Sequence, residues 1–472
     1  MKLKSIFTNS FGILFSRVTG LGRDVLMASA LGASGYSDIF FVVFKLPNLF
    51  RRIFAEGAFT QAFMPSFIAS KQKGLFATAI FLRFIMVLVG ISLIVSLFPE
   101  LLTKTIAMGW SDQQIRESAP LTAINFWYLD LVFIVTFLAT LLQYKEHFAT
   151  TAMSTALLNI SMISALLLYM HQEPKTIIYA LSIAVLIGGL LQVLAHIIAL
   201  KSFNLQRLLI GGWRYRNKPS KQQDLKKETN LFNRLFFPSV WGNSMPQLSS
   251  FIDTILASFL ISGSISYLFY ANRIFQLPLA IIAIAASIAL FPAISKALKH
   301  GNETLAYQHL DRVFWILLAL LGMATLTGII VAEPIVWLLF ERGAFTPQMT
   351  IETAQVLSMY MLGLIPYGLA KLFSLFLYAN KEHTKAAKIA TITLLINVTV
   401  SFVLMKYMGA MGLALSGSIG GLIFFTLTLN GIGFEKFFEI IKSKKLIYLV
   451  VGLTLFGSLL EFINHLLIDW IR

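Results

Sequence analysis

The sequence has no cysteine among its 472 residues, and only 13% of the residues are charged. Without cysteine, the chain can form neither a disulfide nor a thiolate metal site. The seven histidines are scattered over loops and helix ends, without the spacing that a metal site requires. The sequence also lacks a Gly-x-x-x-x-Gly-Lys-Ser/Thr loop, so nothing in it indicates the use of ATP.

Apolar residues take the place of the missing charges. Hydrophobic residues make up 57% of the chain, and the mean hydropathy is +0.77. Soluble domains are roughly half apolar and about one quarter charged. Most of this sequence falls in apolar runs of about 20 residues or more, the length that a helix needs to cross about 30 Å of hydrocarbon. The sequence therefore predicts an all-α polytopic membrane protein.

The net charge of +16 raises the alternative of a nucleic-acid-binding protein. Such a protein would need a separate polar segment to carry its basic patch, and the sequence has none. The lysines and arginines lie between the apolar runs instead, where they fix topology and contact anionic headgroups. We therefore expect membrane lipids, and no nucleic acid, as partners of these basic residues.

Counting the apolar runs between polar breaks predicts thirteen membrane spans, with a fourteenth left open. Lysine and arginine are concentrated in every second loop, so the positive-inside rule places the N-terminus in the cytoplasm. The odd number of spans places the C-terminus outside. The spans begin near Thr8, Ser37, Phe76, Leu121, Thr150, Thr176, Leu231, Ser264, Val313, Thr350, Lys385, Ala410 and Leu446.

An internal repeat with a period of about 230 residues divides the chain. The segment that begins at Asp24 matches the one that begins at Asp253, and the dipeptide at Leu46 recurs at Leu277. Six spans separate equivalent points, so both copies enter the membrane in the same direction. Parallel repeats of this kind form transporters with the substrate held between them. Further matches join Pro65 to Pro292, 145–147 to 381–383, and 158–159 to 396–397.

The repeat predicts two parallel six-helix lobes around a central cavity, with about one extra C-terminal helix. The predicted segments are an N-terminal lobe over 1–200, a basic cytoplasmic linker over 201–230, a C-terminal lobe over 231–432 and the extra helix over 433–472.

Ionisable residues in the predicted second span form a stripe. At 100° per residue, Asp38, Lys45, Arg52 and Glu56 fall on one face of a single helix. A polar stripe within a membrane has to face water or a polar ligand, because lipid would leave it unsatisfied. The alternative interpretation is a self-neutralising ladder that only joins helices. Arg51 lies off the stripe, so a headgroup or inter-helix role is equally open for it.

Other charges lie within the first span and the second lobe. The first span holds Arg17, Arg23 and Asp24, while Asp253 and Arg273 occupy the matching region of the second lobe. The alternative for either first-span arginine is snorkelling to the headgroups. Taken together, these residues predict an arginine-rich cavity suited to a ligand with phosphates, which arginine binds through bidentate hydrogen bonds.

Two long motifs closely resemble the MurJ (MviN) family of lipid II flippases. They are SRVTGLGRD at 16–24 and FKLPNLFRRIFAEGAFTQAFMP at 44–65. Shorter matches are YANR at 270–273 and FERGAFT at 340–346. The resemblance covers nearly the whole chain. It implies a fold of the multidrug, oligosaccharidyl-lipid and polysaccharide exporter superfamily, with two six-helix bundles and alternating access, in a bacterial inner membrane.

The resemblance also implies roles for particular residues. The family's cavity positions match Arg17, Arg23, Asp38, Lys45, Arg51, Arg52, Glu56 and Arg273, with the arginines facing the pyrophosphate of lipid II. Asp253 matches a carboxylate implicated in cation binding. The resemblance implies no cofactor, and it implies coupling to sodium or to the membrane potential. We expect lipid II and membrane lipids as partners, and a monomer.

The sequence departs from the family pattern at three places. Asn272 replaces the usual aspartate before Arg273, and Gln276 stands where some members have glutamate. The segment 382–386 replaces a typical Asp-Thr-Lys-Thr-Pro, so partners of a sodium site are not assigned. Members usually have fourteen spans, whereas thirteen are counted here.

The function predicted from these features is transport of lipid II, the undecaprenyl-pyrophosphate disaccharide pentapeptide, from the inner to the outer face of the membrane. The alternative is a cation-coupled multidrug exporter, or another polyprenyl-linked oligosaccharide exporter, of the same superfamily. An intramembrane transferase would need a metal-binding or catalytic cluster, which Asp130 alone does not supply. A structural scaffold would give no reason to place charges in the middle of apolar helices.

Overall fold

The computed structural model describes residues 3–51, 58–215 and 222–471. Within these ranges nearly every residue is helical and none lies in a strand, which confirms the predicted all-α fold. The chain divides into two compact units, Met1–Ile255 and Leu256–Arg472. The predicted boundaries of the lobes and of the linker stay a prediction.

Eleven helices lie in the first unit or begin in it. They are α1 (Leu3–Leu31), α2 (Gly35–Phe50), α3 (Thr60–Ala69), α4 (Lys73–Leu97), α5 (Pro99–Ile106), α6 (Asp112–Phe126), α7 (Tyr128–Tyr144), α8 (Ala149–Tyr169), α9 (Pro174–Ser202), α10 (Gln206–Tyr215) and α11 (Gln222–Ala257).

The second unit contains nine α-helices and one π-helical segment in its described residues. They are α12 (Ser264–Pro278), the π-helical segment Leu279–Ile284, α13 (Ala285–Lys299), α14 (Glu303–Ile330), α15 (Ala332–Phe340), α16 (Pro347–Met361), α17 (Leu364–Ala379), α18 (His383–Ile432), α19 (Phe434–Ile441) and α20 (Lys445–Ile471).

Nine helical stretches among the described residues are long and apolar enough to cross a membrane. One of them, α18, contains 50 residues and is interrupted at Gly409, whose backbone angles are φ 55° and ψ −129°. This interruption lies between the two predicted spans that begin near Lys385 and Ala410. The total of thirteen spans stays a prediction.

Both units interrupt the second span of the repeat within three residues of the duplicated proline. The first unit ends α2 at Phe50, three residues after Pro47, and Arg51 follows in a π-helical turn. In the second unit, α12 ends at Pro278 and leads directly into the π-helical segment. Proline has no backbone N–H and clashes with the preceding turn, so it interrupts the helical hydrogen-bond ladder. The duplicated Leu-Pro dipeptide therefore produces the same irregularity twice.

The described residues hold only the first half of the predicted polar stripe. Asp38 and Lys45 share α2, whereas Arg51 lies outside it. The common face of all four stripe residues stays a prediction. Arg52 and Glu56 lie outside the described residues.

The repeat extends to the ends of the helices. Glu146 after α7 and Lys381 after α17 both adopt positive φ angles, of 58° and 61°. The residue that follows each of them donates its N–H to a carbonyl five positions back, from His147 to Leu142 at 3.0 Å and from Glu382 to Leu377 at 2.8 Å. This pattern is the Schellman ending of an α-helix. The two helix ends that the sequence repeat matches therefore have the same local geometry.

Aromatic contacts and hydrogen bonds hold the start of α11 against other helices of the first unit. Phe232 packs against Phe59, Phe76 and Phe84, with ring centroids 5.8–6.4 Å apart. Aromatic pairs at such distances stabilise beyond their buried area. One turn earlier, Glu228 accepts hydrogen bonds from the Ser70 hydroxyl at 2.7 Å and from the backbone N–H of residue 71 at 3.0 Å.

Helix α10 docks on α4 through two glycines. A Cβ atom on Gly212 would lie 2.0 Å from the carbonyl oxygen of Gly74 and 2.4 Å from the Thr78 hydroxyl. Only a residue without a side chain permits this backbone contact. The opposite side of α10 leaves Ile210 and Trp213 exposed.

We expect the Gly212→Ala variant to lose about 1–3 kcal/mol of stability, the usual cost of overpacking a close contact. The measurement is the apparent melting temperature of the purified chain in detergent. Gly211→Ala is the matched control, because nothing lies within 4 Å of a Cβ atom built there. Equal melting temperatures of the two variants would contradict the docking contact.

Candidate functional site

Arg17 lies at the midpoint of α1, a helix of 29 residues. Its side chain is exposed, as are those of Phe15 and Val18 beside it. Within the described part of the chain, no hydrogen bond or ion pair includes the Arg17 guanidinium group. The group is therefore available to an anionic ligand.

Arg23, two turns further along α1, has a different environment. It is 7% exposed, and its guanidinium group donates two hydrogen bonds to Oδ1 of Asp24, at 2.6 and 3.0 Å. A third hydrogen bond, of 3.1 Å, goes from Nη1 to Oδ1 of Asn159 on α8. The Asn159 amide in turn donates to the carbonyl oxygen of Ser16 and to the Thr19 hydroxyl, at 3.1 and 3.2 Å.

These contacts assign a structural task to the Arg23 network. A buried charge is tolerated when an opposite charge and further hydrogen bonds satisfy it. The network also joins α1 to α8, because Asn159 bonds to both the arginine and the α1 backbone. The snorkelling alternative does not fit Arg23, because its guanidinium group is buried and bonded to Asp24 and Asn159.

Asp38 occupies the first turn of α2 and is buried. The turn is capped by Ser34 and Ser37, whose side chains and backbone N–H groups bond reciprocally. A carboxylate at a helix N-terminus is stabilised by the unpaired N–H groups and by the helix dipole. The surroundings of Asp38 therefore suit a charge that stabilises the start of α2.

Lys45, in the second half of α2, contacts the end of α11. Its ammonium group donates a hydrogen bond to the Thr254 hydroxyl. The neighbouring Asp253 lies close enough for charge–charge attraction to Lys45. The predicted ion ligand and a predicted substrate ligand thus lie in one electrostatic environment. Among the described residues, no three histidine, aspartate or glutamate side chains come together as metal ligands.

The second unit presents Arg273 on α12. Its guanidinium carbon lies 5.3 Å from the ring centroid of Phe269, a cation–π contact that leaves the side chain partly exposed. Next to it, the Gln276 amide donates a hydrogen bond to the Asn272 side chain. The two amides that depart from the family pattern therefore pair with each other.

Lys371 on α17 is a cation that the sequence analysis missed. Its ammonium group lies 6.0 Å from the ring centroid of Phe424, and the side chain is exposed. No ion pair in the described ranges includes it. The signal was present in the sequence, because a lysine interrupts the apolar run that forms α17. Asn159 was noted as part of the repeat, but not as a ligand of Arg23.

The charges of the predicted spans therefore form two groups. Arg23 and Lys45 engage acidic or hydroxyl partners inside the first unit, whereas Arg17 and Lys371 have no acidic partner among the described residues. Arg51 is partly buried in the π turn after α2. The role of each predicted ligand in substrate binding stays a prediction.

A family model described as "Lipid II flippase MurJ" matches residues 27–471. The chain is 50% identical to the probable lipid II flippase MurJ of Helicobacter pylori strain J99 over 425 residues, which cover 89% of this chain and 92% of the relative. It is 31% identical to the corresponding protein of Buchnera aphidicola from Acyrthosiphon pisum over 480 residues, covering 99% and 91%.

Solved structures agree with these relatives. A structure of lipid II flippase MurJ in an inward closed conformation matches with a TM-score of 0.79 and 26% identity, covering 98% of this chain and 99% of that one. An inward-facing multidrug transporter of the MATE family matches with a TM-score of 0.65 and 13% identity, covering 92% and 98%, which shows a shared fold alone. The chain belongs to the lipid II flippase MurJ family.

Proposed function

We propose that this chain carries lipid II from the inner to the outer face of the bacterial cytoplasmic membrane by alternating access, with its N-terminus in the cytoplasm. It is a multi-pass membrane transporter rather than an enzyme, as its family membership and helices indicate. The substrate joins a large polar headgroup to a lipid through a diphosphate. A carrier has to replace the water around that diphosphate while the lipid stays in the membrane.

The exposed guanidinium group of Arg17 is the observation that carries this proposal. An uncompensated cation at the middle of a membrane helix is costly and marks a ligand pathway by default. A guanidinium group presents paired donors that match two phosphate oxygens, and such charge-assisted bonds are about twice as strong as neutral ones. Arg17 therefore supplies a diphosphate contact that Arg23, with its bonds to Asp24 and Asn159, does not offer in this conformation.

Arg273 and Lys371 extend the proposal to the second unit. Both lie on helices of the apolar layer, and both rest against phenylalanine rings. An aromatic ring holds a cation in place without neutralising it. We assign them to the headgroup as further positive contacts. Arg52 and Glu56 keep the roles that the family resemblance implies.

A multidrug exporter of the same fold is less well supported. Such a transporter favours cationic substrates, so its ligand site should present free carboxylates. Here Asp24 and Asp38 are buried, with Asp24 bonded to Arg23, and Asp253 interacts with Lys45. The likeness to the multidrug transporter is limited to the fold, at 13% identity.

We propose the membrane potential as the driving force. The Lys45 ammonium group already supplies positive charge to Asp253, so a sodium ion at Asp253 would have to compete with it. An inside-negative potential favours outward movement of an anion by about 2.3 kcal/mol per charge per 100 mV. A lipid-linked diphosphate is such an anion. Transport by a monomer suffices for this scheme.

We expect Arg17→Ala to reduce lipid II flipping by about 10- to 100-fold, because one charge-assisted pair contributes about 1.5–3 kcal/mol. Arg17→Lys should keep part of the activity, since it retains the charge but not the paired donors. The measurement is rescue of a flippase-deficient bacterium, together with accessibility of lipid II at the outer face.

Arg116→Ala is the control for this experiment, because Arg116 is exposed in the first half of α6, outside the candidate site. All variants are compared at equal membrane levels. Normal rescue by Arg17→Ala would remove Arg17 from the ligand site.

We expect Asp24→Asn to lower stability by about 3–5 kcal/mol, because it leaves the buried Arg23 guanidinium without its counter-charge. The measurement is thermal unfolding of the purified chain. Asp112→Asn makes the same substitution where the side chain is 79% exposed and its lysine partner is 3.7 Å away, so it should change stability by less than about 1 kcal/mol. Similar losses in both variants would contradict the structural role of the pair.

We expect flipping in proteoliposomes to be unchanged when potassium replaces sodium at a constant membrane potential. Collapse of the potential should slow it, because the anion then gains nothing from outward movement. The readout is the outer-face fraction of lipid II over time. A loss of flipping on sodium removal alone would favour Asp253 as a sodium ligand over this proposal.

A further inference from the structure

Asp130 is a buried carboxyl group that the transport scheme does not use. It lies in the first turn of α7, three residues after Trp127, where α6 ends and α7 begins. The residue is 5% exposed. The two helices together form one membrane-crossing stretch of 33 residues. Asp130 therefore lies beside an interruption within a span.

Its hydrogen bonding is incomplete for a carboxylate. The Ser92 hydroxyl on α4 bonds to Oδ2 at 2.5 Å. The other oxygen, Oδ1, is buried and has no hydrogen-bond partner in the described ranges. An ionised carboxylate has about four acceptor sites on its two oxygens. Here the Ser92 hydroxyl is the only side chain bonded to them among the described residues, and the backbone N–H of Asp130 itself contributes beside it.

No cation compensates the group either. The helices α2, α3, α4, α6 and α9 pack against α7, and α3 carries no ionisable residue. None of the ionisable side chains on the other four is hydrogen-bonded or ion-paired to Asp130 within the described residues. They are Tyr36, Asp38 and Lys45 on α2; Lys73 and Arg83 on α4; Asp112, Arg116 and Glu117 on α6; and Lys175, Tyr179, His196 and Lys201 on α9.

A buried, uncompensated carboxylate is far more costly than a neutral carboxylic acid. The neutral acid needs fewer hydrogen bonds, and its O–H can bond to the Ser92 oxygen. We propose that Asp130 is a proton-binding site, occupied in this conformation and emptied when the span bends during transport. The step is a plain exchange of one proton between the carboxyl group and water.

The surroundings connect this proton to the bend between α6 and α7. Trp127 donates from Nε1 to the Ser96 hydroxyl at 3.1 Å, and Ser96 donates to the carbonyl oxygen of Ser92 at 2.8 Å. One turn of α4 therefore contacts both features. Ser96 accepts a hydrogen bond from Trp127 at the interruption, and Ser92 bonds to the Asp130 carboxyl group. An ionised Asp130 requires water, and entry of water would loosen this contact between α4 and α7.

The second unit interrupts the equivalent span at 362–363, between α16 and α17. The segment that follows, Leu364–Ala379, contains no acidic residue. The duplication therefore does not account for Asp130. A carboxyl group at one interruption alone is expected if it serves a task that the other unit does not share.

The direct test is infrared spectroscopy of the purified full-length chain in lipid nanodiscs at neutral pH. Protonated carboxyl groups absorb separately from carboxylates. The wild-type protein should show a protonated-acid band that Asp130→Asn lacks. Ser92→Ala keeps the carboxyl group and should shift the band, because it removes the hydrogen bond. A protonated-acid band that neither substitution changes would overturn the proposal.

Asp112→Asn is the control, because it removes an exposed carboxyl and should leave that band unchanged. A second arm, which rests on the proposed function, measures lipid II flipping in proteoliposomes over a range of pH. Wild-type flipping should depend on pH and Asp130→Asn flipping should not, whereas identical profiles would overturn the link to transport. The infrared result does not require flipping, so failure of the proposed function would leave it intact.

Discussion

The cost of placing charge in an apolar layer is the constraint on which the rest of this structure depends. Lipid offers no hydrogen bonds, so each ionisable group in a span needs a counter-charge, a polar ligand or a proton. Arg23 bonds to Asp24 and Asn159, whereas Arg17 has no counter-charge among the described residues and is proposed to bind a ligand. Asp130 has one hydroxyl partner and no cation among the described residues. Three groups in one unit thus meet the same cost in three ways.

Much of the architecture could be predicted from the sequence, because it follows from patterns along the chain. Apolar runs predicted the helices, and the repeat paired the dipeptides at Leu46 and Leu277, each of which lies just before an interruption. The projection along the second span assumes one helical angle, and it applies to Asp38 and Lys45, which share α2.

The partners of the charges were less predictable, because they depend on contacts between distant helices. In the sequence, Arg17 and Arg23 are two arginines of one predicted span, and their spacing does not indicate different partners. Asn159 distinguishes them, and it lies on α8, far along the chain. Lys45 likewise finds Thr254 on α11. Helical spacing indicates which way a side chain points, but not what it meets. Lys371 is the single charged residue of α17, so it forms no stripe whose spacing would predict a ligand site.

The contrast between the two arginines bears on how a carrier releases its substrate. A ligand bound equally well in every conformation shifts no equilibrium, however tightly it binds. The Asp24 carboxylate is already paired with Arg23, so a diphosphate can bond to Arg23 only by displacing that carboxylate. The exchange of one anion for another makes a small net contribution to affinity, although both bonds are strong. In the proposed scheme, Arg17 supplies the attraction to the diphosphate, whereas the Arg23–Asp24 pair adds little net affinity.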